Sequence, residues 1–172
     1  MPVEICDGID NDGDGVIDNS ESCWLAVDRY WKTSSPQPRC YASSTLTCSG
    51  YTLEYGSVYF LYAVQVSGTV GIDLLGNGDD RMLVREDRAE LASLQSNGWT
   101  NYGRLGYIWS DTANPPSGTY YKPAGANTSN IRTLRRYYNS STNLHLFPNN
   151  PAEAPSSWTY EGVQGYVWGS RW

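Results

Sequence analysis

Gly98-Trp99-Thr100-Asn101-Tyr102-Gly103-Arg104-Leu105-Gly106-Tyr107-Ile108-Trp109 decides the fold, because the chain uses this pattern more than once. Residues 157–168 read Ser-Trp-Thr-Tyr-Glu-Gly-Val-Gln-Gly-Tyr-Val-Trp, and a looser copy runs from Gly50 to Tyr62 with one extra residue before its shared glycine. Each copy leads from an aromatic-Thr pair through a glycine to an aromatic-aliphatic-aromatic triplet: Phe60-Leu61-Tyr62, Tyr107-Ile108-Trp109 and Tyr166-Val167-Trp168. The closing aromatics lie 47 and then 59 residues apart, and the longer interval holds a Pro-, Gly- and Ser-rich insertion over 110–130. A repeat of about 40 residues cannot bury its apolar face alone, so neighbouring copies must share one core. The expected fold is mainly β: three units near 24–62, 70–109 and 131–168 forming a pseudo-threefold, β-trefoil-like barrel within a domain spanning 24–172. A small propeller or a sandwich is the alternative.

Working outward, Trp24 to Trp31 reads as a strand whose end, Arg29-Tyr30-Trp31, matches Arg136-Tyr137-Tyr138 in the last unit. The second unit has a strand signal at Met82-Leu83-Val84 and the chain's one clear helix from Glu86 to Asn97, with Ala89, Leu91, Ala92 and Leu94 apolar and Gly98 as the stop. In the first unit Pro36, Pro38 and serines replace that helix, and a bridge from Cys40 to Cys48 can staple the loop. The third unit continues through Leu144 to Phe147 and a turn at Pro151-Ala152-Glu153. Trp99, Trp158 and Tyr51 share one repeat position and are expected in the core.

The 172 residues are 17% charged, with seven Trp and fourteen Tyr, a composition suited to a β-rich extracellular protein. The net charge of -6 is concentrated at one end: residues 1–21 carry seven acids and no Lys or Arg, leaving eleven acids against twelve bases. A nearly neutral body lacks the basic stripe of a nucleic-acid-binding protein. Four cysteines with no C-x-x-C pair and a single histidine argue against zinc and for disulfides in an oxidising compartment. The longest apolar stretch, Val58 to Val66, is too short and too polar to insert into a membrane. Met1-Pro2 leads straight into acidic sequence without a signal peptide, so the expectation is a piece of a longer secreted protein, extracellular or at the cell surface.

Residues 1–23 form a separate segment. Asp10-Asn11-Asp12-Gly13-Asp14-Gly15-Val16-Ile17-Asp18-Asn19-Ser20-Glu21 fits the twelve-residue calcium loop D-x-D-x-D-G followed by five residues and Glu. A hard cation wants six to eight oxygens, and alternate residues of a wound loop can point theirs inward. The expected ligands are Asp10, Asp12 and Asp14, the Val16 carbonyl, Asp18 directly or through water, and Glu21, with Ile17 turned towards the protein. The loop resembles thrombospondin type 3 repeats and, more closely, the C-D-G-x-D-N-D-x-D-G-x-x-D repeats of bacterial surface proteins of the MopE kind. Many of those carry a second Cys where this chain has Gly13. The departure leaves Cys6 to another partner, and Cys23 just beyond the loop is chosen. The resemblance covers residues 4–23 and implies calcium rather than copper.

The body resembles a secreted bacterial and fungal repeat family of unassigned function, with a pattern near L-Y-R-x-Y-N, D-H-F-Y-T, a P-A-E helix start and G-W-x-Y-E-G-x-x-G-Y-V-Y. The last unit carries it best, in Leu134-Arg135-Arg136-Tyr137-Tyr138-Asn139, His145-Leu146-Phe147, Pro151-Ala152-Glu153 and Trp158-Thr159-Tyr160-Glu161-Gly162. That family accompanies secreted hydrolases and surface proteins, which implies an accessory binding role. With one histidine no Ser-His or Cys-His pair can be built twice, and Glu54 and Glu161, a conceivable carboxylate pair for glycoside hydrolysis, fall on separate units. A non-catalytic carbohydrate-binding or adhesion module, binding a cell-surface or polymeric glycan, is therefore expected, with Trp31, Arg136, Tyr138 and His145 as ligand-binding candidates and Tyr120-Tyr121 as further unexplained aromatics. The competing expectation is a structural or protein-binding tip domain of a calcium-stiffened surface fibre, with assembly as an oligomer as one option.

Overall fold

The computed structural model describes residues 3–112, 131–148 and 150–169. The insertion beyond Thr112, with Tyr120 and Tyr121, lies outside them. The fold is mainly β, with strands β1 (Trp24–Trp31), β2 (Arg39–Ala42), β3 (Thr52–Tyr62), β4 (Thr69–Asn77), β5 (Asp80–Arg85), β6 (Thr100–Trp109), β7 (Ile131–Asn139), β8 (Leu144–Leu146) and β9 (Thr159–Gly169). The one α-helix among the described residues, α1 (Ala89–Ser96), falls inside the expected span; Leu91 and Leu94 pack their partly buried side chains on the core, and the left-handed Gly98 ends it.

The same antiparallel pairing recurs in all three units. The first strand lies between a short second strand and the long closing strand: β2-β1-β3, β5-β4-β6 and β8-β7-β9. The closing strands also meet one another, with Tyr62 opposite Tyr107, Trp109 opposite Tyr166 and Trp168 opposite Phe60. Among the described residues each of β2, β5 and β8 has one strand partner, so the sheet is open at these edges and the expected closed barrel is not shown.

Alternation along the closing triplets divides the interior into two clusters. Leu61, Ile108 and Val167 point into the larger, where Val27, Ile72 and Leu134 from the first strands meet them. Phe60, Tyr62, Trp109 and Trp168 point the other way and surround Trp24, whose ring stacks on Tyr62 at 4.2 Å. The amino-terminal segment packs on this aromatic cluster through Cys6 and Ile17. Two disulfides, Cys6–Cys23 and Cys40–Cys48, tie that segment and the first-unit loop.

Irregularities in the pairing recur as well. Between Arg136↔Gly162 and Tyr137↔Tyr160, Glu161 is an extra residue on the closing strand; Glu54 is the extra residue between Arg29↔Tyr55 and Tyr30↔Leu53, and Tyr102 between Leu74↔Gly103 and Leu75↔Asn101. A bulge re-aims the side chain of its extra residue. Here it turns Glu161 towards Arg136 and Glu54 towards Arg29.

Candidate functional site

A cleft of about 580 Å³ opens where the second unit meets the third, with Trp99 and residues of β5 and α1 on one side and β7, β8 and Glu161 on the other. At its base is His145, 9% exposed. Asp80 accepts both from the His145 backbone N–H at 2.8 Å and at the ring Nδ1 at 2.6 Å. A carboxylate only accepts, so Nδ1 carries a proton, and Nε2 lies 3.4 Å from Glu161 Oε2.

Arg136 reaches the cleft from β7 and binds two carboxylates. Its Nη1 donates to Glu90 Oε2 at 2.9 Å, across the unit boundary from α1. Its Nε lies 2.9 Å from Glu161 Oε2 in an ion pair, although the N–H is not aimed at that oxygen and has no aligned acceptor. Tyr138 leans over the His145 ring with centroids 4.9 Å apart, and its hydroxyl donates to Asn143 Oδ1 at 2.7 Å. Trp99 presents its edge to His145 at 6.4 Å.

Of the four ligand-binding candidates, Arg136, Tyr138 and His145 come together here. Trp31 does not; it occupies the matching place in the first unit, under the Arg39 guanidinium at 5.7 Å. Trp99, Trp158 and Tyr51, expected in the core, are only half buried, each lying just before the start of its closing strand. Trp99 and Tyr51 rest against the core while lining clefts. Sequence reasoning missed Asp80, Glu90 and Glu161 as site residues. The Ala-Glu shared by Ala89-Glu90 and Ala152-Glu153 was the available signal, because Glu153 meets Arg29 at 2.5 Å in the first unit as Glu90 meets Arg136 in the third.

In the amino-terminal loop, oxygens of Glu4, Asp10 and Asp12 lie within 4.8 Å of one another. Asp10 winds the loop by accepting from the Gly13 and Gly15 N–H groups at 2.7 and 2.8 Å. Glu4 Oε2 is buried without a hydrogen-bond partner. Asp10 and Asp12 beside that unsatisfied Glu4 oxygen make a group of hard carboxylate donors that could hold a cation such as calcium. Asp14 is occupied by the Val16 N–H and the Asn19 side chain, and Glu21 lies in a 3-10 turn, Glu21–Cys23. Asp18 is fully buried, accepting from the Asp7 and Gly8 N–H groups, each at 3.1 Å, and from the Tyr62 hydroxyl at 2.6 Å. That carboxylate holds the loop to the body, and Glu4 joins the acidic group from outside the twelve-residue motif.

Comparison with family models, with curated proteins and with solved structures finds no match to this chain.

Proposed function

We propose that this chain is a non-catalytic, extracellular carbohydrate-binding module whose sugar site is the cleft between the second and third units, with a structural calcium ion in the amino-terminal loop. The observation that carries the reading is a half-buried Trp99 beside polar groups already fixed by their own partners, Asp80 with His145 and Arg136 with Glu90 and Glu161. A sugar stacks its C–H face on an aromatic ring and is oriented by a few pre-positioned polar atoms. Arg136 fills the space between the two glutamates in which hydrolysis would need a scissile bond or a water, which favours binding over turnover. Two disulfides support an oxidising, extracellular setting, and no described helix is long and apolar enough to cross a membrane.

The pseudo-threefold, trefoil-like relation of the units belongs to this proposal. It is supported by the recurrence of Arg136–Glu161–Glu90 as Arg29–Glu54–Glu153, each joining a first strand, its own closing strand and the preceding unit. The competing reading, a protein-binding tip domain on a calcium-stiffened fibre, draws on exposed Ile5 and Ile9. A glycan array run with calcium separates the two. Carbohydrate binding is expected to be lost in Trp99→Ala and Tyr138→Ala and kept in Trp31→Ala. A blank array together with concentration-dependent oligomerisation in light scattering would overturn the carbohydrate reading.

A further inference from the structure

The cleft and its counterpart at the boundary of the third and first units differ in charge. In the counterpart, Arg29 lies between Glu54 and Glu153, and Arg39 adds a second guanidinium, its Nη2 3.1 Å from Glu54 Oε1 and its Nε 3.3 Å from Glu54 Oε2. Two carboxylates there meet two guanidinium groups. His145 stands where Arg39 does, since it pairs with Tyr138 as Arg39 pairs with Trp31. Asp80 has also been added beside it. The cleft thus holds three carboxylates around one permanent cation, Arg136.

The unused atoms agree with this imbalance. Arg136 takes the Oε2 atoms of Glu90 and Glu161, and each Oε1 has no partner among the described residues. Both glutamate side chains are 29% exposed, whereas Arg136 is 12% exposed behind them. Glu90 Oε1 and Glu161 Oε1 are both acceptors. An ammonium group is the complement of such a set, with three donors, no acceptor and a positive charge. An acetamido group would instead bring a carbonyl oxygen to the same acceptors.

We propose that the cleft selects amino sugars with a free amine, held by its ammonium group at Glu90 and Glu161 while the ring lies against Trp99. This rests on the carbohydrate-binding reading above and narrows it to a substrate class.

The test is calorimetric titration of the full chain, in calcium and at low salt, with a β-1,4-linked glucosamine trimer, its fully N-acetylated counterpart and a neutral glucose trimer. The glucosamine trimer is expected to bind at least about tenfold more tightly than either of the others, with the advantage shrinking as salt screens the charges. Glu90→Gln, on an exposed helix, should reduce glucosamine binding about tenfold without lowering the melting temperature. Equal or tighter binding of the acetylated or neutral trimer would overturn the amine selectivity and leave the carbohydrate reading standing. Glucosamine binding unchanged in both Glu90→Gln and Glu161→Gln would overturn the site, and failure of all three trimers together with a blank array would overturn both proposals.

Discussion

At Gly165 there is no room for a side chain: a Cβ there would stand 2.3 Å from the Trp109 carbonyl oxygen. The equivalent Gly106 is nearly as tight, with Leu61 Cβ at 2.9 Å. These glycines let one closing strand lie against the next, which is the physical meaning of the glycine in the Gly-Tyr-Val-Trp signature. Gly78→Ala, with open space around its Cβ but a positive φ, should cost about 1–2 kcal/mol, and Gly165→Ala, which adds overpacking to its own positive φ, is expected to cost about 1–3 kcal/mol more. Urea unfolding of the two variants checks this, and equal midpoints would contradict it. At the same scale, Arg136 and Tyr138 were legible as candidates because they end a first strand whose motif recurs, and His145 because it is the one histidine of the sequence. Glu161 was legible as a residue but not as their partner, because its direction is set by a bulge, and a sequence does not announce which residue of a strand is the extra one.

The amino-terminal loop behaves as an element fastened at three points: the Cys6–Cys23 disulfide, Ile17 against the aromatic cluster, and buried Asp18 under the Tyr62 hydroxyl. Titration of chelator-stripped protein is expected to reveal one calcium site with an affinity of about 0.1–1 mM, abolished by Asp12→Ala. Asp18→Asn should lower stability by about 1–3 kcal/mol with or without calcium, because charge-assisted hydrogen bonds to a buried carboxylate are weakened. Loss of calcium binding in Asp18→Asn with unchanged apo stability would instead make Asp18 a ligand. The spacing of the acids made the loop legible, but the Asp18 contacts come from Asp7, Gly8 and a tyrosine 44 residues away. Helix α1 was legible from its own apolar residues and its glycine stop, while its contribution of Glu90 to a neighbouring unit is a long-range consequence of packing.

Across the whole molecule, the contact of Glu153 with Arg29 joins residues 124 apart and brings the last unit onto the first. Arg29 also reaches Glu54 at 2.9 Å. Beneath this group lie Tyr41 and Tyr59, stacked with centroids 6.0 Å apart. Burial pushes the Tyr41 hydroxyl up to about 12 against a partial opposing effect of Arg29, and burial raises Tyr59 as well. A phenol with a raised pKa in the folded state leaves stability intact below the unfolded value of about 10 and removes it as pH climbs towards 12. Unfolding midpoints should therefore fall above pH 10, with these two tyrosines ionising only on unfolding; tyrosinate absorbance rising fully before unfolding would contradict the burial account. The threefold repeat and its strands were legible because each unit repeats its own closing motif, but the cleft was not, because it forms between units that differ there, with His145 in one and Arg39 in another. The most direct test of the central claim is a nuclear magnetic resonance titration of the indole N–H signals with the oligosaccharide that gives the strongest array signal. Perturbation of Trp99 together with the His145 ring, and none of Trp31, is the expected result; shifts confined to Trp31, or no shift at saturation, would contradict it.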